Sequence, residues 1–544
     1  MRFRGNPWAV LLVLSLGFFM TLLDLTIVNI AIPDMMRRLG ASLDDVLWVL
    51  NAYALVLAVL VITAGRLGDL FGPKMLFVWG IALFTAASAA CGLSPDAAFL
   101  IAFRAVQGIG AAMLIPQTLA IITMTFPADR RGVAFGIWGA VAGVATIAGP
   151  TLGGLLVTAF DWRWIFFVNL PIGVIVFTGA LLILPDIKPG RRHQLDLPGV
   201  ALATVALLGI CYGLVEGQSY NWDARIWVSI GVGIVMIVVF LLYQRSRQGN
   251  EPLVPFALFR SRNYSLMNVV AGTLAVGMLG IFLPFTIYLQ SALGFSALKA
   301  GLTLAPSSLV MIPAAPLSGR LTDRIGGKYI LMSGLTLFAA GMGWAVLVAT
   351  PTSTWDDFLW PMLVAGFGMG CVFPPMTTTA MRDVDPKLAG AASGMLNTIR
   401  QVGSVIGTAA VGALLQNRLA SSLMAEATRR SVILPPNVRQ AFIGGFAQAA
   451  TFTAGTSSAV TVPKGTPPGL AAELRRLSTE VFSVGYVQAM RWTMVMPIAV
   501  IGLAAVSCLA IRRRGREPSN TLEPQPAAAS SPGPGPGSSS GPGS

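Results

Sequence analysis

The stretch Gly65-Arg66-Leu67-Gly68-Asp69-Leu70-Phe71-Gly72-Pro73-Lys74 comes back as Gly319-Arg320-Leu321-Thr322-Asp323-Arg324-Ile325-Gly326-Gly327-Lys328. Gly, Arg, Leu, Asp, Gly and Lys recur at the same internal spacing. Each copy is a short charged connection between two long apolar runs. A repeat of this kind means two like halves. Two weaker echoes accompany it. Gly108-x-Gly110 with Pro116 is matched by Gly366-x-Gly368 with Pro374, and Gly132 and Gly136 by Gly390 and Gly394. With 59 glycines in the chain chance matches are easy, so the shared position between apolar runs carries the weight.

The 544 residues around that repeat are 55% hydrophobic and 11% charged, with a mean hydropathy of +0.72. A soluble domain is about a quarter charged, so lipid must be the solvent for most of this chain. Windows of about twenty apolar residues fall at 8–32, 46–64, 75–93, 97–122, 133–158, 164–184, 199–217, 226–243, 265–290, 300–318, 329–349, 358–381, 392–416 and 492–511. The fold class expected is an all-α membrane protein of about fourteen spans. The run after Met1-Arg2-Phe3-Arg4 continues through Asp24 to Pro33 with no cleavage site of small residues, so it is expected to be a first span and not a signal peptide.

The net charge of +14 would suggest nucleic acid in a soluble protein, but the basic residues cluster in short connections, the pattern that orients membrane proteins. With both termini inside, the inner connections carry Arg66 and Lys74, Arg130 and Arg131, Lys188, Arg191 and Arg192, Arg320 and Lys328, Arg382 and Lys387. No nucleic-acid partner is expected. The lone His193 falls in such a connection, outside the membrane core, and Cys91, Cys211, Cys371 and Cys508 lack metal or disulfide spacing. There is no GxxxxGK[ST] and no HExxH, so neither ATP, a metal nor a cofactor is expected, and the chain is not read as an enzyme.

The domains expected are an N-terminal lobe at 1–184 and linking spans with their flanking connections at 185–264. A C-terminal lobe follows at 265–511, with a long outer loop at 417–490, and then a tail at 512–544 too poor in apolar residues to fold. Within the outer loop Leu419–Arg430 looks helical and 451–469 is rich in Thr, Ser, Pro and Gly.

Asp24 lies roughly 24 Å along its span from Trp8, at 1.5 Å per residue. An ionised carboxylate there is costly and is expected to face protein or water, as a proton carrier or as a structural carboxylate bonded between helices. Arg104 lies roughly 10 Å inside the other face and is its expected partner; the alternative is a lock that packs its helix. Arg400 either lines a cavity or bonds backbone carbonyls. Glu216, at the end of a linking span, reads as an interfacial carboxylate that can also meet cations. Asp69 and Asp323 are placed to meet arginines or helix N-termini, contacts that would form in one conformation and break in another. The glycines of the fifth span allow close helix approach and Pro150 a bend.

Taken together these motifs resemble the major facilitator superfamily. The Gly65–Lys74 loop is similar to its signature loop, and Arg104-x-x-Gln107-Gly108-x-Gly110 to its second motif. Gly139, Gly143, Gly149-Pro150 and Gly153-Gly154 resemble the antiporter motif of its drug exporters. Leu23-Asp24-x-Thr26-Ile27-Val28-Asn29-x-Ala31-x-Pro33 and Trp162-Arg163-Trp164-Ile165-Phe166-x-x-Asn169-x-Pro171-Ile172-Gly173 resemble the fourteen-span drug/proton antiporters (EmrB/QacA type), and Arg400-Gln401-x-Gly403-x-x-x-Gly407 a pattern frequent among them.

The resemblance covers about 1–511. It implies two pseudo-symmetric six-helix lobes with two extra linking helices. It also implies proton-coupled efflux of lipophilic or cationic molecules with drug or antibiotic resistance, by a monomer in the inner membrane of a bacterium, with membrane lipids around it. Asp24 and Arg104 would couple protons and meet substrate. Asn29, Gln107, Arg400, Gln401 and Glu216 would reach the cavity. Gly65, Arg66, Asp69, Gly72 and Lys74, with Gly319, Arg320, Asp323, Gly326 and Lys328, would form gating loops. The rival readings are export of the cell's own metabolite, antibiotic or lipid, and a membrane sensor that transports nothing.

Overall fold

The computed structural model describes residues 6–41, 43–127, 130–186, 196–217, 220, 222–248, 252, 254–385, 388–448 and 468–511. The basic residues Lys188, Arg191, Arg192 and Lys387, His193, most of the segment 451–469 and the tail 512–544 lie outside them. Within the helices the side chains of Asn29, Arg66 and Pro150, and position 143, are likewise outside the description.

The first half runs α1 (Pro7–Leu39), α2 (Leu43–Phe71), α3 (Pro73–Gly92), α4 (Ala97–Thr125), α5 (Arg131–Ala159), α6 (Trp164–Phe167) and α7 (Asn169–Ile183). Then come α8 (Leu197–Glu216), α9 (Ala224–Ser246) and α10 (Ala257–Arg260). The second half runs α11 (Arg262–Ile287), α12 (Ala297–Ile325), α13 (Gly327–Val348), α14 (Leu359–Gly370), α15 (Phe373–Met381), α16 (Ala389–Arg430), α17 (Pro436–Gln448) and α18 (Pro468–Ser507).

Every apolar window of the sequence coincides with a helix. Among the described residues eleven helices are long and apolar enough to cross a membrane, and the pair Trp48–Val61 and Thr63–Phe71, bent by 50° within α2, makes a twelfth. The two remaining windows are α5 and the shorter α8. On α9 only 17% of the span is buried by protein although its hydropathy is 2.6. Trp227, Val228, Val235 and Leu242 all point outward there, a surface that only lipid satisfies.

Two spans read as continuous are broken. The window at 358–381 splits at Cys371 and Val372 into α14 and α15, because Pro374 and Pro375 have no N–H for the carbonyls one turn earlier. The window at 164–184 splits at Val168. In the expected outer loop at 417–490 the described residues are mostly helical, Leu419–Arg430 as expected and beyond it. α16 has 42 residues and α18 has 40, about 63 and 60 Å at 1.5 Å per residue, twice the roughly 30 Å of hydrocarbon. Their overhanging ends pack with α17 around Leu423, Ala427, Phe442, Phe446, Leu474, Leu477 and Val481. Arg430 bonds Glu480 at 2.6 Å, and Arg476 reaches the same carboxylate at 3.0 Å. The polar positions that end a hydropathy window interleave here with an apolar face, which folds a small helical unit outside the span.

The repeat is geometric. Gly72 and Gly326 have φ of +94° and +87°, a region where a Cβ is strained. Two residues on, Lys74 donates to the carbonyls of Leu181 in the last turn of α7 and Leu184 just past it (3.0 and 2.7 Å), and Lys328 to that of Leu509 just past α18 (2.6 Å). Each lysine thus covers the bare carbonyls where the last helix of its own half ends. Gly108 abuts the backbone of Tyr53 and Gly366 that of Ser307; Gly110 abuts the backbone of Phe84 and Gly368 that of Phe338. The large apolar clusters respect the same division, one drawing on 258–511 and two on residues before 185.

Gly326→Ala is expected to destabilise the detergent-solubilised protein by about 1 kcal/mol or more through the forced positive φ. Gly343→Ala, where an added methyl meets nothing within 4 Å inside α13, is expected to be neutral or stabilising. Thermal unfolding of the two variants side by side checks the contrast.

Candidate functional site

Asp24 of α1 and Arg104 of α4 both have no exposed surface and form an ion pair. Burial makes such a pair costly unless the remaining bonding capacity is filled. Here it largely is. Gln107, one turn after Arg104, accepts from the guanidinium at 2.9 Å and donates to Asp24 at 3.0 Å. Asn169 of α7 donates to the same carboxylate oxygen at 3.4 Å and to Ser88 of α3 at 3.1 Å; Ser88 donates to the Phe166 carbonyl at 2.9 Å. Arg104 Nε donates to the Val49 carbonyl of α2 at 2.9 Å, and its guanidinium lies 4.4 Å from the centre of the Tyr53 ring.

Helices α1, α2, α3, α4 and α7 therefore meet in one network, whose carboxylate receives three N–H donors. Arg104 Nη2 and Asn169 Oδ1 are the buried atoms of this network with no partner. Without the Asp24 carboxylate the Arg104 cation would stand uncompensated in a buried site.

The charged connections lie at the opposite end of the bundle, where the two halves meet. Asp69 accepts from the backbone N–H of Ala391 in the first turn of α16 (3.0 Å), and Asp323 from that of Gly132 in the first turn of α5 (3.1 Å). Each carboxylate thus caps a helix N-terminus of the other half, where the helix dipole favours negative charge. Of the two partners expected for them, helix N-termini rather than arginines are seen in these bonds. Gly132 meets the Gly319 backbone, and a methyl added at Gly136 would lie 2.7 Å from the Ala315 carbonyl oxygen. Ser393 donates to the Pro116 carbonyl at 3.0 Å. The halves are closed on each other at this end. Gly65 is buried and Arg320 exposed here.

The glycines of α5 face different helices. Gly136 faces α12, Gly139 faces Phe373 of α15, and Gly149 faces Thr26 of α1, two residues from Asp24. Thr26 donates to the Ala145 carbonyl at 3.3 Å. Gly153 is buried, and a methyl at Gly154 would meet nothing. Arg400 is half-buried and donates to Asn397 on its own helix at 2.8 Å, a side-chain partner that neither expected role included. Gln401 is half-buried beside it. Glu216 is 7% exposed at the end of α8, which packs on α2, α9 and α16, so it is sheltered by protein.

Tyr53, Ser88 and Asn169 were absent from the expected site. Asn169 stood inside a quoted motif, but no spacing links α7 to α1. Tyr53 and Ser88 carry no sequence signal, since a tyrosine and a serine in apolar helices are ordinary.

Residues 14–408 match the family model described as Major Facilitator Superfamily. The chain is 43% identical to an uncharacterised transporter of that type from Mycobacterium tuberculosis, across 77% of this chain and 72% of the relative. It is 36% identical to the tetracenomycin C resistance and export protein of Streptomyces glaucescens (76% and 77%) and 34% identical to the multidrug resistance protein Stp of Mycobacterium tuberculosis (76% and 76%). Among solved structures the human organic anion transporter TETRAN superposes with a TM-score of 0.57 at 13% identity, covering 91% of this chain and 99% of that one. That likeness is one of fold.

Removing one partner of a buried ion pair typically costs about 3–5 kcal/mol. Arg104→Leu is accordingly expected to lower the thermal unfolding temperature strongly, and Asp24→Asn added to it to recover much of the loss. Unfolding curves of the two single variants and the double variant give the coupling.

Proposed function

We propose that this chain, which belongs to the major facilitator superfamily, is a proton-driven exporter of lipophilic or cationic small molecules that confers drug or antibiotic resistance. The observation that carries the reading is the fully buried Asp24–Arg104 pair, held by Gln107 and Asn169. The printed names of the relatives, among them a multidrug resistance protein and a tetracenomycin C resistance and export protein, support the substrate class. The name that joins resistance with export also favours a second reading, export of a compound the cell makes itself.

In this reading the chain is a monomer in the inner membrane of a bacterium, among membrane lipids, with both termini in the cytoplasm. Lobes 1–184 and 265–511 rock about a central site while 185–264 links them. The closed end carrying Asp69 and Asp323 is then the cytoplasmic gate, and the conformation is the outward-facing one. An external proton binds the Asp24 carboxylate and neutralises it. Arg104 loses its counter-charge, and the five-helix junction relaxes toward the inward-facing state. Substrate binding from the cytoplasm drives the reverse exchange. Proton and substrate each shift the population of the two states.

Efflux of a fluorescent lipophilic cation from expressing cells is expected to fail with a protonophore and in Asp24→Asn. Efflux that survives the protonophore would sink proton coupling. Asp69→Asn with Asp323→Asn weakens two caps of roughly 1 kcal/mol each. That pair is expected to cut transport severalfold while the amount of protein in the membrane stays the same, and normal transport would remove the gate.

A further inference from the structure

The second half holds a cavity of about 110 Å³ between α11, α12, α13, α14 and the start of α15. Five methionines and four phenylalanines line it, with Ser307 and Ser308. Its place in the repeat identifies it. The backbone contacts Gly108 to Tyr53 and Gly366 to Ser307 set Ser307 opposite Tyr53. The same two glycines, in Gly-x-Gly on α4 and α14, set Met362 opposite Arg104 and Ala365 opposite Gln107. The contacts Gly110 to Phe84 and Gly368 to Phe338 align α3 with α13 and set Met342 opposite Ser88. Met278 lies on α11 at the depth of Asp24 on α1. The cavity is the two-fold counterpart of the Asp24 site, with each of its hydrogen-bonding groups exchanged for sulfur, methyl or a small hydroxyl.

We propose that this pocket receives an aromatic ring of the exported molecule, so that one half handles the proton and the other the apolar part of the substrate. The proposal rests on the export reading above. The residues that line it carry no charge, so no ion pair holds a cationic head there. Methionine sulfur and phenylalanine edges suit an aromatic ring, and methionines repack around rings of different shape. Size sets the limit. An apolar cavity of about 150 Å³ holds benzene, whereas whole drug-sized ligands need about 300 Å³ or more. At about 110 Å³ the pocket takes at most a single ring, and takes it only as its methionines shift, so the rest of the molecule lies outside it. Phe373, part of its wall, is met across the halves by Gly139 of α5, where an added methyl would lie 3.3 Å from the Phe373 Cβ. A filled pocket thus presses on the seam that must open.

Two cations of equal charge separate the outcomes: tetraphenylphosphonium, which carries rings, and tetrabutylammonium, which carries alkyl chains. Met342→Trp, which fills the pocket, is expected to raise the KM for tetraphenylphosphonium export about tenfold, the scale on which a hydrophobic pocket discriminates, and to leave that for tetrabutylammonium within about twofold. An equal change for both probes, as for a lipid-chain pocket, or no change, overturns the proposal.

Met362→Ala, which enlarges the pocket without overpacking, guards against a misfolded variant. It is expected to lower the KM for a naphthyl-bearing analogue relative to tetraphenylphosphonium, and an unchanged ratio counts against the pocket. If the wild type exports neither cation, the lipophilic-cation reading falls. The pocket is then judged on purified protein, where tetraphenylphosphonium is expected to raise the unfolding temperature of the wild type and of Asp24→Asn but not of Met342→Trp. A rise in all three, or in none, would overturn it.

Discussion

Arg104 has no exposed surface in a bundle whose outer face is apolar, and that single charge organises the first half of the protein. A guanidinium has five donors and no way of becoming neutral, so neighbouring helices must supply acceptors. α1 supplies Asp24, α2 the Val49 carbonyl, α4 itself Gln107, and α2 again the face of Tyr53. Asn169 and Ser88 then satisfy what Asp24 and Phe166 leave over. The network is a structural keystone because a buried charge must be matched by acceptors from the helices around it.

The other end of the bundle uses the same electrostatics more cheaply. Asp69 and Asp323 each bond one backbone N–H of the opposite half. Half-exposed caps of this kind contribute about 1 kcal/mol, enough to bias a conformation and too little to lock it. The glycines that let backbones touch there, Gly132 against Gly319, make the closed interface dense without long side chains to disentangle. The contacts that join the two halves here are thus weak, paired and related by the repeat.

The two-fold repeat also shows where the halves have diverged. Their frames agree at the positive-φ glycines, at the lysines that cover a helix end and at the glycine contacts between helices, all backbone constraints. They differ in the side chains at the heart of each half: ions and amides in one, methionine and phenylalanine in the other. The overhanging ends of α16 and α18 add a second divergence, a small helical unit with its own apolar core that the first half lacks.

Membrane residence, the helices at every apolar window and the internal repeat could all be read from the amino-acid order. Hydropathy over twenty residues and a motif at fixed spacing are local properties, and lipid leaves a chain few ways to satisfy its backbone. Asp24 and Arg104 stood out for the same local reason, as charges in apolar runs. Only the tertiary structure decided that Gln107 and Asn169 bond the carboxylate of this pair, that the motif aspartates cap helices of the other half, that the overhanging ends of α16 and α18 pack with α17, and that a methionine-lined cavity sits opposite the ion pair. Each of those depends on which faces of distant helices meet. Tyr53, Ser88 and Met342 are unremarkable residues until the packing of their helices places them, and that packing is set by the sum of many weak contacts that no short stretch of sequence contains.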